Sequence, residues 1–469
     1  MIHDLQHVSD SFRDPAGYVF ECDNKIFRTV NACFSESFDR VQASGILDQF
    51  ATRQSVLPAT LIHSDQKTLQ ATGPETTYLL EIPKLPFISY PYEWTFSALQ
   101  AAALLHLDIH LMALDQGMTL SDASAYNIQF QGAKPIFIDH LSFRPYENGE
   151  MWAGHRQFCE QFLNPLLLQA YLGVAYNAWY RGTQEGIGVE ELARLVKWRH
   201  LFRGNMFMHV VLQSLFQNAS HNNALEVKKT TLAAAPFSLA SFQGMLKKLQ
   251  KWIRQLELEF KGKTVWQDYT KAHSYSSEET ALKKEFVREF SRETRPRLLW
   301  DLGCNSGEFS ATALKEGAEY VVGFDADHGA LEAAFARAEK EHLPFQAIYL
   351  DALNPTPNQG WMERERGGLQ SRAKADGVLA LAFVHHLAIA RNVPLEQVID
   401  WIMGLAPTGV IEFVPKEDPM VQTLLRLRED IFPNYSKKHF REYLSRHARI
   451  VNARVVSKSG RLLIEYTRL

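Results

Sequence analysis

Pro296-Arg-Leu-Leu-Trp-Asp-Leu-Gly-Cys-Asn-Ser-Gly307 is the stretch that decides the fold of this chain. Its apolar run, Leu298 to Trp300, is typical of a buried parallel strand, and a turn containing two glycines follows it. A helix-like run from Glu308 to Glu316 comes next. The order of strand, glycine turn and helix brings backbone N–H groups beside a helix N-terminus, where a polar ligand group can approach without meeting a Cβ. The stretch therefore predicts a cofactor site.

The spacing within this stretch indicates which cofactor. A dinucleotide-binding fingerprint needs G-x-G-x-x-G, whereas Asn305 stands at the second glycine position and Gly307 comes one residue too early. That argues against NAD. The pattern Asp301-x-Gly303-x-Asn305-x-Gly307 instead resembles the first motif of the class I S-adenosylmethionine (SAM) dependent methyltransferases. The resemblance implies that Asp301 belongs to the cofactor-binding motif and that Gly303, Asn305 and Gly307 line the methionine part of SAM.

Two more acids follow apolar runs at the intervals that this resemblance implies. The run Tyr320 to Phe324 ends at Asp325, whose carboxylate can accept hydrogen bonds from both hydroxyls of a ribose. The run Ala347 to Leu350 ends at Asp351, which in such enzymes sits near the adenine amino group. Acids at strand ends are common in α/β sheets, so a plain Rossmann-like fold without SAM is the alternative. Three acids in register favour SAM as the cofactor.

The remaining strands predict the fold class. A fourth strand begins at Ala375, a fifth covers Gly409 to Val414, and Ile450 to Val456 with Arg461 to Thr467 forms a final hairpin. The resemblance covers roughly residues 263 to 469 and implies an antiparallel last strand. We predict an α/β protein whose C-terminal domain holds a Rossmann-like seven-stranded methyltransferase sheet, preceded by an α+β, mostly helical N-terminal region.

Candidate catalytic residues follow the fourth strand. A base is needed only if the acceptor is a hydroxyl or a protonated amine, and the imidazole of His385 or His386 suits that task. The alternative is that one histidine is packed inside and the other is merely exposed. Glu412, in the fifth strand, can orient a histidine or help bind metal, as in RNA 2′-O-methyltransferases with Glu and His ligands. Their denser cluster is absent here, so no metal site is predicted.

Length and composition bound the remaining possibilities. A chain of 469 residues with 46% hydrophobic and 22% charged residues is expected to form two or three globular domains. The net charge of −3 and a pI of about 6.6 give no sign of a nucleic-acid or anionic-membrane partner. The four cysteines show no zinc spacing, and with His3, Asp4 and His7 the first residues are not expected to act as a signal peptide, so we expect a cytoplasmic protein. The apolar run Thr95 to Leu114 carries His106, Asp108 and His110, so we expect a buried helix and no membrane span.

We predict that the whole chain divides into three parts. They are an α+β domain over residues 1–150, a helical region that continues it over 151–260, and the methyltransferase domain over 261–469. The polar run 218–229 is the best candidate linker. In many class I methyltransferases the segment just before the first motif folds over SAM, so the resemblance implies a lid formed by Trp266, Tyr269, His273 and Tyr275. The alternative is that these side chains merely pack the following helix on the sheet.

A second motif lies in the first of these parts. Asp122 and Asn127 are separated like the catalytic-loop Asp and Asn of kinase-like phosphotransferases, and Asp139 follows where their metal-binding Asp would stand. The resemblance implies that Asp122 is a base, that Asn127 and Asp139 hold metal, and that Arg28 or Lys25 pairs with phosphate. A departure from that pattern is that no G-x-G-x-x-G loop stands near Gly17. The alternative is that these are turn and cap residues in an ordinary loop.

The sequence thus predicts a SAM-dependent methyltransferase that acts on a hydroxyl or amine of a small molecule or glycan. Its N-terminal region would recognise the acceptor or regulate access. The second hypothesis is an RNA acceptor, and the third is a bifunctional or regulatory protein with an ATP-binding N-terminal lobe. The oligomeric state is left open.

Overall fold

The computed structural model of the chain describes residues 6–8, 11–22, 25–63, 69, 72–196, 238–258, 277–426 and 429–469. The predicted linker 218–229 and the predicted lid residues Trp266, Tyr269, His273 and Tyr275 lie outside the described residues.

A five-stranded antiparallel sheet opens the chain, in the order β1-β2-β3-β5-β4. Its strands are β1 (Gln6–His7), β2 (Val19–Cys22), β3 (Lys25–Asn31), β4 (Thr60–Ile62) and β5 (Thr76–Ile82). Between β3 and β4 lie α1 (Ala32–Ser44) and α2 (Ile46–Thr52), separated by Gly45 in the left-handed region at φ 67°.

A mostly helical region follows this sheet. Its helices are α3 (Phe96–Asp115), α4 (His155–Phe158), α5 (Asn164–Leu172), α6 (Asn177–Thr183), α7 (Val189–Leu195) and α8 (Leu239–Arg254). A π-helical turn, Cys159–Leu163, joins α4 to α5. Two β ribbons lie between α3 and α4: β6 (Met118–Leu120) pairs with β9 (Phe143–Pro145), and β7 (Ile128–Gln131) with β8 (Lys134–Phe137).

Helix α3 is the central helix of this region. Thr95 caps its N-terminus, because its Oγ1 accepts a hydrogen bond of 3.0 Å from the Ala98 N–H. It is the one helix among the described residues that is long and apolar enough to cross a membrane, and 56% of its most apolar window is buried inside the protein. His110 within it is fully buried and its Nε2 lies 2.8 Å from Thr119 Oγ1. The prediction of a buried helix is confirmed.

The C-terminal part contains a seven-stranded sheet in the order β12-β11-β10-β13-β14-β16-β15. Its strands are β10 (Leu298–Leu302), β11 (Tyr320–Asp325), β12 (Phe345–Tyr349), β13 (Gly377–Ala380), β14 (Thr408–Phe413), β15 (Ala448–Val455) and β16 (Leu462–Arg468). The pairs from β12 through β14 are parallel, and β16 runs antiparallel to both of its neighbours. The strand order reverses at β10, which is where α/β sheets of this kind bind ligands. The predicted fold class is confirmed.

Helices connect these strands. They are α9 (Ser277–Thr294), α10 (Glu308–Lys315), α11 (His328–Lys340), α12 (Val384–Ala388), α13 (Leu395–Leu405), α14 (Pro419–Leu425) and α15 (Lys437–His447). The stretch between β12 and β13 contains a single short 3-10 turn, Trp361–Glu363, among its described elements.

One hydrophobic core runs from the helical region into the seven-stranded sheet. Phe87, in the connector after β5, packs edge-on against Trp300 of β10 and Phe324 of β11, with ring centroids 5.8 and 6.0 Å away. Polar groups join the same surfaces: the Gln346 side-chain amide donates to Ser89 Oγ at 2.7 Å. The N-terminal region therefore covers part of one face of the sheet, and the predicted division at residues 150 and 260 stays a prediction.

Candidate cofactor and methyl-transfer site

The glycine turn after β10 is built from left-handed residues. Gly303 and Gly307 both have φ 73°, and Asn305 between them has φ 51°. A Cβ added at Gly307 would lie 2.4 Å from Cε1 of Phe345, so only glycine fits there. Asn is among the side chains that tolerate this region best, which explains how it replaces the second glycine of the fingerprint.

Backbone hydrogen bonds join this turn to the end of β11. The Gly303 and Cys304 N–H groups donate to Phe324 O at 2.8 and 3.0 Å. The Asn305 N–H donates to one oxygen of the Asp325 carboxylate at 2.9 Å, and the Asp327 N–H donates to the other at 2.9 Å. Burial raises the pKa of Asp325, and these two backbone donors oppose that rise. Each oxygen keeps a lone pair, so the fixed carboxylate can still accept from the two hydroxyls of a ribose.

Asp301 lies beneath the turn. Its side chain is buried, and its Oδ2 accepts a hydrogen bond of 2.6 Å from Ser310 Oγ in α10. Burial raises the pKa of Asp301 to about 7. This contact ties the end of β10 to the helix after the turn, so Asp301 supports the turn from below, and its direct role in cofactor binding stays a prediction.

Asp351 follows β12 at the same edge of the sheet. The Leu350 N–H donates to Asp325 O at 2.9 Å. This bond brings the segment that carries Asp351 beside Asp325, the candidate residue for binding the ribose. Sequence reasoning missed a ring pair here: His328 stacks on Tyr349 with centroids 4.6 Å apart and planes at 6°. Closeness in sequence to the two predicted acids could have marked these rings, because His328 comes three residues after Asp325 and Tyr349 two residues before Asp351.

The histidine pair lies in the short helix α12 that follows β13. His385 is buried, and neither of its ring nitrogens has a hydrogen-bond partner among the described residues, while His386 is partly exposed and its ring centroid lies 4.2 Å away. Burial lowers the pKa of both imidazoles, and the nearby Arg461 guanidinium adds to the effect. Both rings are therefore neutral near pH 7. The helix begins beside the glycine turn, because Phe383 lies 3.3 Å from where a Cβ of Gly303 would stand.

A buried charge network holds this segment in place. The Glu412 carboxylate contacts Lys283 Nζ at 2.7 and 2.8 Å and accepts a hydrogen bond of 2.8 Å from the Ala382 N–H. Arg461 Nη1 lies 3.5 Å from the same carboxylate. Burial lowers the pKa of Lys283, and the Glu412 charge opposes that shift. Glu412 thus anchors the segment before His385 through the Ala382 N–H, a role that the sequence did not predict. The two suggested roles, histidine partner and metal ligand, stay predictions.

Sequence reasoning missed Lys283 and Arg461. Both residues are far from Glu412 along the chain, so no local sequence pattern indicates that they contact it. Within the part of the chain that the structure describes, no group of three or more His, Cys, Asp or Glu side chains is arranged to hold a metal ion.

The second motif also forms one cluster. The Asn127 side-chain amide donates to both Asp122 oxygens at 3.1 and 3.0 Å, and Ser142 Oγ donates to Asp122 Oδ1 at 2.6 Å. Burial, together with the charge of Asp139, raises the pKa of Asp122 to about 6.

A cation from the first sheet reaches this cluster. Arg28 of β3 lies 3.6 Å from Asp139 and forms a shorter ion pair with Asp14. Lys25, the other candidate for pairing with phosphate, contacts Glu81 at 2.8 Å instead. The structure therefore favours Arg28 between the two.

These observations define a class. A parallel sheet with an inserted antiparallel β16, a left-handed glycine turn after β10, and a carboxylate at the end of β11 that receives a turn N–H together characterise a class I SAM-dependent methyltransferase domain. No protein-family model matches the chain. The chain is 43% identical to the nodulation protein NoeA of Rhizobium meliloti (strain 1021) over 461 residues, which are 98% of this chain and 96% of that protein. It belongs to the NoeA family of nodulation proteins.

Other similarities are partial. Ribosomal protein L11 methyltransferase of Shewanella piezotolerans (strain WP3 / JCM 13877) is 46% identical over 56 residues, 12% of this chain and 19% of that protein. Magnesium protoporphyrin IX methyltransferase (ChlM) from Synechocystis PCC 6803 with bound SAH is a solved structure at 15% identity and TM-score 0.31, covering 44% of this chain and 93% of its own. The bifunctional kinase-methyltransferase WbdD gives 16% identity and TM-score 0.29, covering 43% and 41%.

Proposed function

We propose that this protein transfers the methyl group of SAM to a hydroxyl or amine of a small molecule or glycan. The observation that supports the proposal is the hydrogen bond from the Asn305 N–H to the Asp325 carboxylate. With this contact, a carboxylate that could accept from the ribose would lie against the turn that would hold the methionine part. Asp351, beside Asp325 through Leu350, would face the adenine amino group.

The chain's own part in the reaction is alignment and proton removal. Bound SAM supplies a methyl group already activated by a positively charged sulfur, so positioning the acceptor in line with it does most of the work. With SAM bound, the methyl group would pass to the acceptor atom and S-adenosylhomocysteine would leave, while an imidazole of this chain would take the acceptor's proton. His386 is our candidate base, because it is the partly exposed member of the pair and its lowered pKa keeps it neutral near pH 7.

The acceptor class can be tested with methyl-labelled SAM. We expect label from the full-length protein to enter a small-molecule or glycan pool and not an RNA pool. Once the acceptor is known, His386→Asn should lower kcat by about 100-fold, within the range that general bases contribute, with SAM affinity unchanged. Label found in RNA would overturn the acceptor class and leave methyl transfer standing.

The remaining assignments are also part of this proposal. The N-terminal region would recognise the acceptor or control access, since it covers part of one face of the catalytic sheet. A cytoplasmic location is proposed as well, because Cys33, Cys159 and Cys304 are thiols that form no disulfide within the described part of the chain.

A second candidate function is nucleotide binding by the N-terminal lobe, favoured by the cluster of Asp122, Asn127, Asp139 and Arg28. A five-stranded sheet followed by a helical lobe carries this cluster, as the motif spacing predicts for a kinase-type core. Thermal shift with ATP and magnesium tests it, because a ligand specific for the folded state raises the melting temperature. A rise that Asp139→Asn abolishes would support the site. No rise with ATP, beside a clear rise with SAM, would exclude it.

A further inference from the structure

A cavity of about 100 Å³ lies between the two halves of the molecule. Its walls come from both: Leu350, Asp351 and Asn354 after β12 on one side, and Tyr92 and Asn177 of the N-terminal region on the other. Sites that enclose a whole small molecule are larger, about 300–1,000 Å³. The cavity therefore fits one end of a ligand.

Two residues of this wall carry a polar atom that finds no partner in the part of the chain that the structure describes. Tyr92 and Asn177 are 1% and 2% exposed, and neither Tyr92 Oη nor Asn177 Oδ1 has a hydrogen-bond partner among the described residues. The amide orientation of Asn177 is fixed, because its Nδ2 donates to Tyr92 O at 2.9 Å and Trp94 O at 3.0 Å. Its free oxygen is thus an acceptor. Buried polar groups in folded proteins are nearly always paired, so two such atoms in one cavity wall point to a ligand.

The available groups match the edge of a purine that carries an amino group. Such an edge offers an amino donor beside a ring-nitrogen acceptor. Asn177 Oδ1 and the Asp351 carboxylate are acceptors, and the Tyr92 hydroxyl can donate. Asp351 joins this cavity to the cofactor site, since the adjoining Leu350 N–H bonds to Asp325 O at 2.9 Å.

The N-terminal region also holds the loop that closes this space. Arg181 Nη1 donates to Asn354 O at 2.8 Å, and Gln359 Nε2 donates to Arg181 O at 3.0 Å. Thr356 Oγ1 donates to Glu93 at 3.1 Å. The segment after β12 is therefore held by side chains that the seven-stranded sheet does not supply.

We infer that the adenine end of SAM is bound jointly by the two halves of the molecule, with Tyr92 and Asn177 of the N-terminal region completing the pocket that Asp351 begins. This inference rests on the proposed function. It makes the N-terminal region a part of the cofactor site, and it assigns recognition of the adenine ring to residues outside the methyltransferase sheet.

The test compares two tyrosines. Tyr92→Phe removes a hydroxyl that has no hydrogen-bond partner among the described residues, so the fold should be unaffected. The dissociation constant for SAM should rise about five- to tenfold, the value of one neutral hydrogen bond. Tyr180→Phe is the matched control, because Tyr180 is equally buried, its Oη is also unpartnered among the described residues, and its ring lies 6.3 Å from that of Tyr92 but outside the cavity wall. It should bind SAM like the wild type.

Titration calorimetry with SAM separates the outcomes. A loss of affinity confined to Tyr92→Phe supports the inference. Equal affinities for the two variants and the wild type would overturn it and leave the proposed function intact, whereas a wild type that binds no SAM defeats both.

S-inosylhomocysteine, in which a carbonyl replaces the amino group, should bind the wild type at least about tenfold more weakly than S-adenosylhomocysteine, because it sets an oxygen against acceptors. Equal binding of these two compounds would also contradict the inference.

Discussion

Gly307 and Gly45 show how differently two left-handed glycines constrain the chain. Their φ angles are 73° and 67°, but a Cβ at Gly307 would meet Phe345 at 2.4 Å whereas nothing lies within 4 Å of one at Gly45. Gly45→Ala should therefore cost only the left-handed strain, about 1 kcal/mol of the free energy of unfolding. Gly307→Ala adds an overlap worth about 1–3 kcal/mol.

Denaturant unfolding together with SAM titration checks this pair of variants. We expect Gly45→Ala to keep wild-type affinity for SAM, and Gly307→Ala to lose binding because its overlap displaces the turn. Similar stability losses and unchanged SAM affinity in both variants would show that the turn is not the cofactor cradle.

His106 makes the stability of the protein depend on pH. It is fully buried among aromatic rings, and burial lowers its pKa to about 3. Below the ordinary histidine pKa of about 6.5, the imidazole of His106 binds a proton in the unfolded chain but stays neutral in the folded one. The free energy of unfolding should therefore fall by about 1.4 kcal/mol per pH unit from this histidine as pH drops from about 6 towards 4.

Urea unfolding at several pH values measures that slope. His106→Leu should flatten it by the stated amount, while His342→Asn, a change at an exposed turn, should not. If His106→Leu kept the full wild-type slope between pH 6 and 4, the burial of a neutral imidazole at this position would be refuted.

At the scale of elements, the connector after β5 is the piece that joins the two halves. Phe87 is buried against Trp300 and Phe324, and its neighbour Ile88 is exposed. Phe87→Ala should lower the free energy of unfolding by about 3–5 kcal/mol, because it leaves a cavity between the N-terminal region and the sheet. Ile88→Ala should change it by less than about 0.5 kcal/mol. Equal effects in chemical denaturation would mean that this contact does not hold the halves together.

Elements with strong local signals were predicted from the sequence. The glycine turn and helix α3 each carry their cause in a few neighbouring residues. Strand β12 was misplaced: the apolar run Ala347 to Leu350 predicted it, but the strand begins at Phe345 and ends at Tyr349. The reason is Gln346, a buried polar residue whose amide bonds to Ser89 Oγ of the N-terminal region at 2.7 Å. Such a partner cannot be read from local alternation.

The candidate site divides in the same way. Asp325, Asn305 and the histidine pair were found because a motif spacing or a strand end marks them. Lys283 was not, since it reaches Glu412 only when α9 packs against the sheet, and a lysine in an amphipathic helix looks like a solvated residue. Glu412 itself was noticed, but its partners decide its role.

At the scale of the whole molecule, the shared core predicts that the catalytic sheet depends on the N-terminal region. A fragment of residues 261–469 would expose the rings of Trp300 and Phe324 and lose the groups that hold the loop after β12. We expect it to lack a cooperative unfolding transition and to bind no SAM by calorimetry. A soluble fragment with a sharp transition and wild-type SAM affinity would show two independent units.

The most direct measurement is a calorimetric titration of the full-length protein with SAM, repeated for Asp325→Ala. The account predicts one site per chain, and a loss of affinity of about 100-fold or more in the variant, because two charge-assisted hydrogen bonds to the ribose disappear. Asp400→Ala, which removes an exposed carboxylate bonded to Tyr443, should bind as the wild type does. Near-normal affinity in Asp325→Ala, or no binding by the wild type, would contradict the assignment of this crevice to SAM.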